Sequence, residues 1–239
     1  MMRIEVGIGP LMRTTPIVGV MIIAAIGFCW IFLLSGMNVG VIDMLGEPMQ
    51  MPTPVNMVIM WWVMMLAMML PGTVGHLPVA SGIQKSVIPS SGPFILGYGS
   101  VWFGYSLVVT AMQYGLIYAG ILHPMEMAST STYFNIAVLS IAGLYQFTQV
   151  KAKNLKACQR RQPKRNSVIS GLAYGVHCLT ASIALMCLLF VGGVMNIYWI
   201  VALTLIVVVE KTLMDPRTFS TVVGLSCLLT AALIAFRTI

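Results

Sequence analysis

The sequence predicts an all-α fold, a polytopic transmembrane helix bundle, from two observations. Of its 239 residues, 59% are hydrophobic and only 8% are charged, whereas roughly a quarter are charged in a soluble domain. About seven stretches are also apolar over the length, roughly 20 residues, that a helix needs to cross the hydrocarbon. We therefore expect one bundle over residues 1–239. Its predicted spans are 17–34, 55–77, 94–121, 133–150, 168–191, 197–213 and 219–236.

Prolines and glycines mark the ends of several spans. A proline at a helix start loses no hydrogen bond, and four spans follow one: Pro16, Pro54, Pro93 and Pro216. The fifth and sixth spans are separated only by Gly192, Gly193 and Asn196, which predicts either a tight hairpin or a re-entrant segment. The first span is too long for a signal peptide core and is expected to be retained.

The charges of the loops predict the orientation. With the N-terminus in the cytoplasm, twelve of the thirteen Lys and Arg residues lie on the cytoplasmic side and only Arg237 lies outside, as the positive-inside rule requires. The C-terminus is then extracytoplasmic, and we expect a multi-pass protein of a bacterial inner membrane. Seven basic residues fall between Lys151 and Arg165. This predicted loop is expected to set topology and contact anionic lipid, with docking of an acidic partner as the alternative; it does not indicate nucleic-acid binding.

Sulfur and imidazole side chains within the spans are the candidate metal ligands. In the second span, Met64 and Met68 lie on one helical stripe that runs toward His76, and the fifth span carries His177 and Cys178. Thioethers and thiolates are soft ligands that suit Cu(I), so these five residues predict copper binding. The alternative is that the methionines fill gaps in a packed bundle.

Small and polar residues predict how the helices contact one another. Gly171 and Gly175 lie on one face of the fifth span, a pattern that lets two helix backbones approach closely. Glu210 ends the sixth span at the predicted level of His76 and Gln149. These three are expected to form either a hydrogen-bonded network or a metal or proton site.

An ordered set of motifs runs through the middle of the chain. It comprises Met60-Trp61 through Leu70-Pro71, Ala142 through Gln146 with Lys151, Gly175 with Cys178, Val191 through Asn196 including Gly193, and Glu210-Lys211. Over residues of about 55–213 the set resembles the domain-of-unknown-function 2182 family of predicted metal-binding integral membrane proteins. The resemblance implies a helical membrane scaffold in which Trp61, Pro71, Gln146, Gly193 and the Glu210-Lys211 pair are packing residues.

The chain departs from the family pattern at its thiols. The family usually places two cysteines after the lysine that matches Lys151, and here the first position is Asn154 and the second is Cys158. The Gly-Cys-Cys-Trp that usually follows the cysteine matching Cys178 reads Thr-Ala-Ser-Ile at 180–183. Serine and alanine supply no thiolate, so the resemblance implies a scaffold with reduced metal chemistry.

Three functions follow from these observations. The lost thiols and short loops favour a non-catalytic accessory or structural subunit, packed against other membrane protein subunits. Copper binding, trafficking or delivery is the alternative. Transport of a small solute or ion is least favoured, because Pro71 is the one break found within a span and no second copy of its motif appears. No catalytic pairing or phosphate-binding loop is recognisable, so we expect no enzyme.

Overall fold

The computed structural model describes residues 24, 26–31, 33, 53–73, 88–123, 127–159, 168–212 and 216–238. Within these ranges it contains eight bounded helices: α1 (Pro54–Thr73), α2 (Ile88–Tyr118), α3 (Thr132–Gln146), α4 (Gln149–Gln159), α5 (Val168–Cys187), α6 (Leu189–Gly192), α7 (Ile197–Thr212) and α8 (Pro216–Thr238). Residues 26–31 are helical as well. The described chain has no β-strand, only one isolated bridge between Leu122 and Ser129. The predicted all-α class is therefore confirmed.

Four helical segments are long and apolar enough to cross a membrane: Pro54–Thr73, Gly92–Tyr118, Val168–Gly192 and Arg217–Thr238. They coincide with four of the predicted spans, which supports the assignment as a membrane protein. α3 and α7 occupy two further predicted spans but are shorter, with 15 and 16 residues. Most of the predicted span 17–34 lies outside the described residues. The total number of spans and the orientation of the termini remain predictions.

The predicted proline positions are correct for two of the helices described. Pro54 and Pro216 begin α1 and α8, but Pro93 lies inside α2, which begins at Ile88. A proline this close to a helix start removes a single intrahelical hydrogen bond, so the helix forms through it. Pro71 likewise lies inside α1, which continues to Thr73.

Glycines bring the backbones of α2 and α5 into direct contact. A Cβ atom built on Gly97 would lie 2.1 Å from the carbonyl oxygen of Val168, and one on Gly171 would lie 2.1 Å from that of Phe94. A Cβ on Gly175 would lie 2.9 Å from the side chain of Val101. The small-residue face predicted on the fifth span is thus a close helix–helix contact, of the kind that stabilises membrane bundles through van der Waals packing.

A second glycine contact joins α3 to α8, where a Cβ on Gly224 would lie 3.0 Å from the carbonyl oxygen of Gly143. α1 packs against α2 and α7, while α5 packs against α2, α3, α4 and α7. α5 is therefore the central helix, and its residues are in reach of side chains from four others.

The core of α1 is built from tryptophan and methionine. Trp61 is fully buried; its indole nitrogen donates to Oε1 of Gln113 at 2.6 Å, and its ring lies 5.5 Å from that of Phe190. Met64 and Met68 are buried in the same apolar core. Trp61 therefore contacts both α2 and α6 in the interior of the bundle.

The break between the fifth and sixth predicted spans is a turn. Gly193 has a φ of 90°, a conformation that favours glycine. The side-chain oxygen of Asn196 then accepts hydrogen bonds from the backbone N–H groups of Tyr198 and Trp199, at 3.1 and 3.3 Å. This bond pattern is an N-cap, so α7 begins directly after the turn.

Candidate metal centre

The basic segment predicted as a loop is helical over its first part. α4 has one buried face, formed by Lys151, Leu155 and Cys158, whereas Lys153 and Lys156 are exposed. The buried residues recur at the spacing of one helical face, and this face packs against α5, α7 and α8. The expectation of a loop is therefore wrong for residues 151–159, and the side chain of Lys151 is buried.

Side chains at both ends of α4 bind the C-terminus of α7. Nζ of Lys151 lies 2.6 Å from Oε1 of Glu210, and both side chains are buried. At the other end, the amide nitrogen of Gln159 donates to the carbonyl oxygens of Glu210 and Lys211, at 3.1 and 3.3 Å. These bonds satisfy carbonyl groups that a helix end leaves without partners, and they hold α4 against the last turn of α7.

The Lys151–Glu210 ion pair belongs to a buried polar network. Oε1 of Gln146 accepts a hydrogen bond from Lys151, and the hydroxyl of Ser220 donates to Oε1 of Glu210 at 2.9 Å. Burial lowers the pKa of Lys151, and the adjacent Glu210 carboxylate raises it by a smaller amount. The network differs from the predicted cluster around Glu210, because Gln149 is exposed and His76 lies outside the described residues.

His177 binds α4 rather than a neighbouring sulfur. Its Nδ1 lies 2.7 Å from Oδ1 of Asn154. This contact joins the side chain of Asn154 on α4 to α5. A metal ion binds an imidazole through one of its two ring nitrogens, and this hydrogen bond occupies one of them.

A second buried cluster surrounds the thiol of Cys178. Nζ of Lys211 lies 2.8 Å from Sγ of Cys178 and 3.4 Å from Sδ of Met69. Interaction with the neighbouring Cys178, together with burial, raises the pKa of the Cys158 thiol. The hydroxyl of Tyr98 lies 3.7 Å from the Cys178 sulfur. We call Met69, Cys158, Cys178 and Lys211 the sulfur cluster.

Each member of the sulfur cluster comes from a different helix. Met69 is on α1, Cys158 on α4, Cys178 on α5 and Lys211 on α7. Gly72 leaves room for the lysine, since a Cβ there would lie 2.7 Å from Cδ of Lys211. The hydroxyl of Ser182 lies 3.8 Å from the Met69 sulfur, so small residues surround the cluster on two helices.

The donor set of the sulfur cluster fits a soft monovalent metal ion. Two thiols and one thioether are ligands that select Cu(I), and the thiols bind as thiolates. The described residues contain no group of three His, Cys, Asp or Glu side chains suited to a metal ion. A three-ligand site here therefore requires the thioether of Met69.

Comparison with known proteins agrees with this chemistry. A family model described as PpoB2, copper chaperone, matches residues 58–234, which is most of the chain. The chain belongs to this copper chaperone family. The matched range contains the whole sulfur cluster. No curated protein and no solved structure matches the chain.

The residues predicted as ligands have different surroundings in this member of the copper chaperone family. Cys178 lies in the sulfur cluster, whereas Met64 and Met68 are buried in the apolar core and His177 contacts Asn154. His76 lies outside the described residues. The sequence did not indicate Met69 or Cys158 as ligands, although Met69 adjoins Met68 and Cys158 occupies one of the cysteine positions of the family pattern.

Proposed function

We propose that this protein binds Cu(I) within the membrane and passes it to an acceptor protein, without catalysing a reaction. The observation that carries the proposal is the buried sulfur cluster, in which two thiols and a thioether adjoin one ammonium group. Membership of a copper chaperone family supports the same reading. Of the functions predicted from the sequence, copper trafficking is thus better supported than an accessory subunit role, which stays a prediction.

The charges of the sulfur cluster favour Cu(I) over a divalent ion. Two thiolates and one Cu(I) ion sum to a single negative charge, and the ammonium of Lys211 balances it. Because an unpaired charge is strongly unfavourable in an apolar interior, this neutral total suits a site at which all the side chains are buried. The lysine nitrogen, when protonated, has no lone pair for the metal and acts only as a counter-charge.

We assign the release of copper to the α4 side of the cluster. Copper moves between thiolate sites by exchange of ligands, so one ligand must become accessible to the acceptor. Cys158 lies on α4, an 11-residue helix whose other face is exposed and which is not among the four membrane-spanning segments. In the predicted orientation α4 is cytoplasmic, and the acceptor would approach from that side.

Titration of the purified protein with Cu(I), in competition with a chromophoric chelator, tests the proposal. We expect about one tightly bound Cu(I) per chain and copper–sulfur scattering in the X-ray absorption spectrum. Cys158→Ser, Cys178→Ser and Met69→Leu should each weaken binding. Matched controls are Cys187→Ser on the helix of Cys178 and Met68→Leu on the helix of Met69.

The outcomes separate three possibilities. Loss of binding in the three cluster variants, with both controls unchanged, supports the sulfur cluster. Loss of binding in Met64→Leu, Met68→Leu and His177→Asn, with Met69→Leu unchanged, would instead favour the ligands predicted from the sequence. A wild-type protein that binds no Cu(I) would overturn the proposed function.

A further inference from the structure

A cavity of about 270 Å³ lies where the C-terminal end of α3 meets the first turns of α4 and α8. Three residues of the Lys151–Glu210 network line one side of this cavity: Gln146, Lys151 and Ser220. A water molecule occupies about 30 Å³ in the liquid, so the cavity has room for a polyatomic ion with some of its water.

Two cationic side chains line the cavity in addition to Lys151. Lys156 projects from α4 and Arg217 from the first turn of α8. Lys151 is neutralised by Glu210, but within the described residues neither Lys156 nor Arg217 takes part in an ion pair. Among the described residues, the lining of the cavity therefore carries an excess of positive charge from two helices.

The backbone adds to this positive potential. α4 begins at Gln149 and α8 at Pro216, and Thr148, Gln149 and Arg217, from the starts of these helices, line the cavity. The first N–H groups of a helix have no intrahelical partner and carry the positive end of the helix dipole. Helix N-termini bind phosphate and other anions for this reason.

A buried amide independently indicates that the cavity holds an acceptor. Gln146 is only 5% exposed and lines the cavity. Its Oε1 is bonded to Lys151, but its Nε2 has no hydrogen-bond partner within the described chain. Leaving such a buried donor unsatisfied is unfavourable, and an anionic oxygen in the cavity would satisfy it.

We propose that this cavity binds a phosphate group, held by Lys156, Arg217 and the Nε2 amide of Gln146. The group is either the headgroup of an anionic phospholipid or free inorganic phosphate, which present the same oxygens. Phe147, which also lines the cavity, is 46% exposed, so an apolar surface adjoins the site. This binding is separate from the copper chemistry and does not depend on the proposed function.

The test uses the full-length protein, stripped of lipid in detergent and examined by native mass spectrometry. Phosphatidylglycerol and phosphatidylcholine are added in parallel, and inorganic phosphate is added as a competitor. We expect about one tightly bound phosphatidylglycerol per chain. Lys156→Gln combined with Arg217→Gln should weaken this binding by roughly tenfold or more, given the contribution of each basic residue near anionic lipid.

Lys153→Gln is the matched control, since Lys153 is exposed on the same helix and does not line the cavity. Displacement of the lipid by millimolar phosphate would identify free phosphate as a ligand, and resistance to it would identify the headgroup; either supports the site. Equal weakening by the control, or no tightly bound phosphate group of either kind, would overturn the inference. The double variant should still bind Cu(I), so the two proposals fail separately.

Discussion

The ammonium nitrogen of Lys211 lies 2.8 Å from the sulfur of Cys178. A positive charge on the last turn of α7 therefore contacts a buried thiol on α5 and can donate a hydrogen bond to its sulfur. The same nitrogen lies 3.4 Å from the thioether of Met69. Lys211 is thus placed to stabilise a thiolate in the membrane, and its removal is the most direct test of the charge balance at the sulfur cluster.

Replacement of Lys211 by leucine keeps an apolar side chain at this position and removes the charge without adding a sulfur ligand. We expect the affinity for Cu(I) to fall by roughly tenfold or more, because the bis-thiolate complex would then be an uncompensated anion in an apolar interior. Chelator competition on the purified variant measures this affinity. Thr212→Val, at the exposed neighbouring position, is the control. An unchanged affinity in Lys211→Leu would contradict the assigned counter-charge.

Gly72 provides an indirect test, because its substitution would affect the sulfur cluster only by displacing the side chain of Lys211. An alanine Cβ there would lie 2.7 Å from Cδ of Lys211, so the lysine chain must move away from Cys178. We expect Gly72→Ala to weaken Cu(I) binding in the same direction as Lys211→Leu but by less. Gly99→Ala, whose added Cβ would meet its nearest neighbour at 3.9 Å, should bind Cu(I) normally. The idea fails if the two glycine variants behave alike.

The helices and their glycine contacts were predictable because both depend on local pattern. Apolar length and the spacing of Gly171 and Gly175 are visible in the sequence without knowledge of neighbouring helices. The tertiary partners were not predictable. Glu210 pairs with Lys151, 59 positions away along the chain, and that pairing depends on the order in which the helices pack.

The sequence also does not show which methionine of α1 is the metal ligand, because this too depends on how the helices pack. Met68 and Met69 are adjacent, and they differ by about 100° of rotation about the helix axis. Both are fully buried, so burial alone does not distinguish a ligand from a core residue. Only the position of Lys211 on α7 identifies Met69 as the residue at the sulfur cluster. The basic residues of α4 favoured the prediction of a loop. The buried helical face that contains Cys158 was therefore not predicted.

The contact between α2 and α5 predicts a large effect on stability from one methyl group. Gly171→Ala would place Cβ 2.1 Å from the carbonyl oxygen of Phe94, and a backbone atom cannot move away as a flexible side chain can. We expect a loss of about 1–3 kcal/mol in the free energy of unfolding, the usual range for overpacking, measured by denaturant titration in detergent. Gly104→Ala, with no atom within 4 Å of the added Cβ, should leave stability within about 0.5 kcal/mol of wild type.

The Lys151–Glu210 ion pair should behave as a unit. Lys151→Met leaves the Glu210 carboxylate buried without its cation, and Glu210→Gln leaves the Lys151 ammonium without its anion, so each single variant should lose about 3–5 kcal/mol of unfolding free energy. The double variant removes both charges and should be more stable than either single variant. A double-mutant cycle measures the coupling.

Two further variants test whether the loss of stability is specific to the Lys151–Glu210 pair or is a general effect of charge on α4. Lys153→Met removes an exposed lysine two positions from Lys151 and should change stability by less than about 0.5 kcal/mol. Ser220→Ala removes the hydroxyl that donates to Glu210 at 2.9 Å and should lose about 1 kcal/mol, the usual net value of one hydrogen bond. If the losses in the two single variants simply add in the double variant, the buried residues do not act as an ion pair. α4 would then be held to α7 mainly by Gln159, whose amide bonds to the carbonyl oxygens of Glu210 and Lys211 are independent of both charges.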